Sequence, residues 1–203
     1  RALDLPARAS RAQRPRTSPA LTRPSDAGSV RLASAVVVVA INLRLVIASL
    51  GPELDNVRLG LHLSSTATSV LTALPVFCFG VFALAGPRVS HHLGVRRALL
   101  AVLAMLLAGS LLRIGPDAAT LFIGTLLAAS SIAIANVLMP VVARREFPAR
   151  TSLMLGLTTT ATIGSVAVAG GLTVPIAHAI GAGWRGGLGI WAGFTGLTLL
   201  MWL

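Results

Sequence analysis

The stretch VVVVAINLRLVIASLGPEL, residues 36–54, decides the class of fold. A run of β-branched and apolar residues is interrupted near its middle by Asn42 and Arg44. A charge at the centre of such a segment in a bilayer costs about 2.5–17 kcal/mol, so its side chain should face a cavity or a partner. A guanidinium presents five donors in a planar fork and suits a small anion, above all a carboxylate-like group held by two parallel bonds. A structural role is the competing reading, with Arg44 tying helix ends or backbone carbonyls together. All six acidic residues fall in the tail or between the apolar blocks, so no ion-pair partner is expected inside the spans. Asn42, two residues away, lies on a different part of the helix surface and need not share the surroundings of Arg44.

Working outward, the whole chain carries the same signature. Of its 203 residues 55% are hydrophobic and only 11% charged, where a soluble domain has roughly a quarter charged. The mean hydropathy is +0.83. The apolar residues fall in long blocks at about 32–50, 66–86, 98–113, 118–142, 152–177 and 185–203. About 20 residues cross the hydrocarbon core, and the short third block gains length if Arg113 snorkels to the interface. The expectation is an all-α membrane protein with six transmembrane helices. Residues 1–31, rich in Arg, Ala, Pro and Ser, read as a disordered cytoplasmic tail preceding a six-helix unit over 32–203. The chain starts at Arg1 and stops within the apolar TLLMWL, which reads as a piece of something longer.

Arginine supplies all of the positive charge, and its distribution orients the helices. With the loops on alternate sides, the tail (+5), the 87–97 loop (+3) and the 143–151 loop (+2) collect a formal charge of +10, and the opposite loops collect none. Positive residues stay inside, so both termini are placed in the cytoplasm of a multi-pass protein in a bacterial plasma membrane. Because the positive charge sits between apolar blocks, nucleic acid is not expected as a partner. A single cysteine, Cys78, excludes a disulfide framework or a cysteine metal cluster.

Few other residues carry chemistry. Asn136 is the one strongly polar side chain deep in the fourth block, able to bond a substrate or a neighbouring helix. Gly156, Thr160 and Gly164 form a small-residue stripe that reads as a packing face. Thr158, Thr162 and Ser165 form a hydroxyl stripe, open to two readings: a polar pathway, or bonds to the helix's own backbone. Pro75, Pro140 and Pro175 favour bends. His91 and His92 lie in a loop and make a poor metal site. No nucleophile–base, metallohydrolase or phosphate-loop motif is present, so no catalytic residue, metal or cofactor is expected.

Several stretches taken together carry a resemblance. They are Asn42-Leu43-Arg44 with Gly51-Pro52, LSSTATSVLTALPVFCFG in the second block, LGVRRALL after the loop, Asn136 to Pro140, Arg145 to Arg150, Thr159-Thr160 and Gly183-Trp184-Arg185. The chain resembles the N-terminal half of a major facilitator superfamily transporter, in particular the cyanate and 2-nitroimidazole transporter family. The resemblance implies a twelve-helix alternating-access carrier of which this is the first half, completed by a second six-helix half. It implies substrate contacts at Arg44, with Asn42, Asn136, Thr159 and Thr160, and a gating loop containing Gly94, Arg96 and Arg97. His91 stands where the wider superfamily has an aspartate, Thr125 where many members have an arginine early in the fourth span, and Thr158 in the place of an aromatic residue.

The reading is a secondary active transporter of a small organic solute, an anion, held in the lipid bilayer. Two other readings stay open: an oligomeric six-helix channel, and a truncated, non-transporting remnant. With no carboxylate expected in the spans, proton coupling through this half has no visible carrier.

Overall fold

The computed structural model describes residues 26–86, 88 and 94–203. Most of the tail and the histidines 91 and 92 therefore lie outside the described residues. The described chain is all helical, with no strand among those residues: α1 (Asp26–Ala48), α2 (Leu50–Gly60), α3 (Ser65–Phe82), α4 (Val95–Leu112), α5 (Ala118–Glu146), α6 (Thr151–Ile180) and α7 (Gly183–Trp202).

Residues 51–60, expected as loop, continue the first helix. Ser49, which joins α1 to α2, keeps helical dihedrals, and its N–H donates to Leu45 O at 3.0 Å. Pro52 is tolerated because it falls in the first turn of α2, where an amide needs no intrahelical acceptor. The helical run Val30–Gly60 is therefore 31 residues long. Only residues 61–64 separate it from α3, whose start is capped by Ser64 Oγ accepting from Ala67 N at 3.2 Å. Asp117 caps α5 in the same way, accepting from Thr120 N at 2.8 Å. Gly94 precedes α4 with φ +74°, a left-handed conformation that glycine adopts without strain. The three prolines lie inside α3, α5 and α6, which continue through them as helices.

Among the described residues, five helical segments are long and apolar enough to cross a membrane: Val30–Gly60, Ser65–Phe82, Val95–Leu112, Ala118–Glu146 and Pro148–Ile180. The chain is a multi-pass helical membrane protein. α7, with 20 residues, has the length to cross, but Arg185 and glycines at 183, 186, 187, 189, 193 and 196 dilute its apolar character.

α4 lies along α5, α3 packs on the other side of α5, α1 lies along α6, and α7 closes against α1, α4 and α6. The main core joins Val36, Val39, Leu43 and Val46 of α1 to Leu99, Leu103 and Leu106 of α4 and to Ile132, Ala135 and Leu138 of α5. A second cluster gathers Leu50, Val57, Leu71, Leu121, Trp184 and Leu188 at one end. α3 and α6 leave large apolar side chains exposed, among them Val76, Phe77, Ile163 and Leu172, as surfaces facing lipid tails do.

The closest helix approach is between α4 and α5. A Cβ on Gly109 would lie 2.6 Å from Ala128 N, and one on Gly124 would lie 2.7 Å from Gly109 O. The stripe read as a packing face does not behave so: a Cβ on Gly156 or Gly164 meets nothing within 4 Å among the described residues. That face of α6 points away from α1 and α7, and a spacing rule carries no information about which face a neighbour covers.

Candidate functional site

Arg44 is half-buried on α1, and among the described residues its guanidinium makes no hydrogen bond or ion pair. Its neighbours Leu43 and Leu45 are buried in the core, so the arginine emerges from a helix otherwise packed among apolar side chains. Asn42 points elsewhere. It is fully buried against α7, where Thr195 Oγ1 donates to Asn42 Oδ1 at 3.0 Å, and Asn42 Nδ2 has no partner among the described residues. Two residues on a helix are separated by about 200°, which is why one side chain ties helices together and the other does not. In this structure Asn42 and Arg44 do not form one cluster.

Asn136 is exposed on α5 between Ala135 and Leu138, both buried. Thr159 and Thr160 are exposed on α6, and Thr159 Oγ1 donates to Leu155 O at 2.8 Å. The hydroxyl stripe resolves toward the backbone. Thr158 Oγ1 donates to Met154 O at 2.9 Å, Thr162 to Thr158 O and Ser165 to Thr162 O at 2.7 Å, so these hydroxyls spend their protons inside α6. On the loop side, Arg96 and Arg97 are exposed, and Arg96 Nη2 donates to Leu203 O at 3.0 Å.

Two charged residues behave differently from their sequence reading. Arg113 does not snorkel: it is 4% exposed, and its Nη1 donates to Val46 O at 2.6 Å. Its Nε and the nearby Thr125 hydroxyl are buried without partners among the described residues, beside a narrow cavity that Pro75 also lines. The break in the helix at Ser49 explains the attraction, because carbonyls next to such a break offer acceptor capacity that the helix does not use.

Glu53, expected in a loop, is helical and buried. It sits in the long helical run Val30–Gly60 and is 0% exposed. Its Oε2 accepts from Asn56 Nδ2 at 2.7 Å, whereas Oε1 is buried without a partner among the described residues. The helical continuation through Pro52 moves it out of the loop, and α6 and α7 cover it. Counting charges along a sequence could not find it; the only signal was a Gly-Pro pair that can open a helical turn.

The start of α7 is fastened by Arg185. Its Nε and Nη2 donate to the carbonyls of Gly115 and Pro116 at 3.3 and 3.2 Å, and its guanidinium lies 4.3 Å from the Trp184 ring centre. Among the described residues, no cluster of three or more histidine, cysteine, aspartate or glutamate side chains can hold a metal.

Over 172 residues the chain is 37% identical to the uncharacterized transporter YycB of Bacillus subtilis, a match covering 85% of this chain and 43% of that protein. It is 30% identical over 179 residues to the 2-nitroimidazole transporter of Escherichia coli, covering 88% of this chain and 45% of the relative. The cyanate transport protein CynX of Escherichia coli is 34% identical over 139 residues, covering 68% of this chain and 36% of that protein. The chain belongs to this family of cyanate and 2-nitroimidazole transporter-like proteins. It spans under half the length of each of these relatives. No family model and no solved structure matches the chain.

Proposed function

We propose that the chain is the N-terminal half of a secondary active transporter that moves a small organic anion by alternating access. In this reading α7 crosses the membrane as the sixth span, and a second six-helix half completes the major facilitator fold. Both termini of this half face the cytoplasm of a bacterial cell, as the arginine asymmetry of the loops favours. Substrate binds near the midplane between the halves, where carriers of this type hold it.

Arg44 carries the proposal. An always-charged side chain set in an apolar span, half-buried and without a bonding partner among the described residues, is ready for an anion supplied from outside the half. Asn136, Thr159 and Thr160, all exposed in this half, act as weaker polar contacts, with Asn42 bracing the helix that presents Arg44. Gly94, Arg96 and Arg97 belong to the gating loop on the cytoplasmic side.

The test is uptake of cyanate, and separately of 2-nitroimidazole, into vesicles holding the native protein that contains this chain. Saturable uptake with counterflow is expected, with Arg44→Gln abolishing it while membrane insertion stays intact. Normal transport by the variant removes Arg44 from the site, and unsaturable flux replaces the carrier with a channel.

A further inference from the structure

We propose that Glu53 is a proton-binding site at the outer end of the bundle, and that its loading is coupled to transport; the coupling rests on the transporter reading above. The proposal stands on how the carboxyl is housed. Glu53 is fully buried near the end of the helical run Val30–Gly60, yet only Oε2 is bonded, to Asn56 at 2.7 Å. Oε1 has no partner among the described residues. The helix opposite is hollowed for this oxygen: a Cβ on Gly187 of α7 would lie 3.0 Å from Oε1 and 3.1 Å from both Ala177 Cβ and Thr173 Cγ2.

A carboxylate in such a place normally has a cation beside it, since an unpaired buried charge costs several kcal/mol. The charged and titratable groups of every packed element are accounted for. On α2 itself Asp55 and Arg58 are exposed and line a separate cavity with His62. On α1, Asp26, Arg31 and Arg44 stand 27, 22 and nine positions before Glu53. α3 offers only the buried Cys78. On α7, Arg185 is taken up by the carbonyls of Gly115 and Pro116 and by Trp184. That leaves His178 of α6, which lines a cavity of about 400 Å³ together with Glu53, Asn56 and Trp184. The cavity is roomy and polar enough to hold water.

A proton arriving through this cavity from water bonds to the carboxylate and converts it to a neutral acid. No other bond changes. The neutral form permits the close packing of α2 against α6 and α7. Loss of the proton to water leaves a charge whose Oε1 has no donor in this contact, and it loosens the end of the helical run that also carries Arg44. Proton loading and anion binding then act on one helical run, Val30–Gly60.

Infrared difference spectra of the purified native protein, recorded between acid and alkaline buffer, test proton binding without reference to transport. A protonated-carboxyl band is expected in the parent and in Asp55→Asn, is lost in Glu53→Gln and returns, shifted, in Glu53→Asp. A band unchanged in Glu53→Gln, or no band in the parent, overturns the proposal. The coupling is read in proteoliposomes with cyanate as probe: Glu53→Gln keeps counterflow but loses accumulation driven by a pH gradient. Retained gradient-driven accumulation overturns the coupling. A parent that transports neither cyanate nor 2-nitroimidazole, with the infrared band intact, removes the coupling and the transporter reading for these probes and leaves the proton site standing.

Discussion

Arg113, at the end of α4, reaches across the bundle and donates from Nη1 to the carbonyl oxygen of Val46 in α1 at 2.6 Å. The bond joins residues 67 positions apart at the point where the first helix is interrupted by Ser49. It fixes the helix that carries Arg44 and Glu53 against the tightest helix pair in the structure, because Gly124 packs directly on the backbone of Arg113.

Removing that bond should loosen the bundle. Arg113→Ala is expected to lower stability by about 1–3 kcal/mol, as loss of a buried charge-assisted hydrogen bond does. Denaturant unfolding of the purified protein in detergent measures it. A variant as stable as the parent would mean that Ser49 Oγ, which also donates to the Val46 carbonyl at 2.9 Å, satisfies it alone.

The Asn42–Thr195 contact should show coupling. Thr195→Val and Asn42→Leu are each expected to destabilise, and the double variant to lose less than their sum, by about 0.6–1.7 kcal/mol for an interhelical bond in a membrane. Strict additivity in the double-mutant cycle would remove the bond from the account of how α7 holds α1.

The glycine contacts separate two kinds of position. Gly124→Val should cost about 1–3 kcal/mol or prevent folding, since its Cβ falls 2.7 Å from backbone atoms that cannot move aside. Gly164→Ala, whose Cβ meets nothing within 4 Å, should leave the yield of monodisperse protein unchanged. Equal damage from both would show that the exposed face of α6 is packed against a further part of the protein.

The Asp117 cap carries a pH dependence. The backbone N–H of Thr120, and then its side chain, hold the Asp117 carboxyl below the usual carboxylate range. A group with a depressed folded value stabilises fully above its unfolded value and loses that contribution as pH falls through the folded one. Asp117→Ala should therefore melt at a lower temperature than the parent at neutral pH, and the gap should close in acid. A gap that stays constant into strong acid would rule out the charged cap as its source.

Much of the bundle could be read from local sequence. The apolar run around Arg44 marked a membrane helix because helix formation and lipid burial depend on residues close in the chain. Ser64 and Asp117 are cap residues of an ordinary kind, each bonded to an amide three positions on. The candidate site was legible only as residue types. Arg44 stood out through its apolar neighbours, whereas the different settings of Asn42 and Arg44 became visible only when α7 was placed.

By itself the sequence determined that the chain is an apolar, multi-pass helical protein and where its charges collect, since both follow from composition over windows of about 20 residues. Tertiary structure alone decided that Glu53 is buried rather than looped out, that Arg113 turns inward, and that Gly109 and Gly124 rather than Gly156 and Gly164 make the close approach. Each of those outcomes depends on which helix lies opposite, and in a membrane that choice is set by van der Waals fit and a few interhelical hydrogen bonds between residues far apart in the chain.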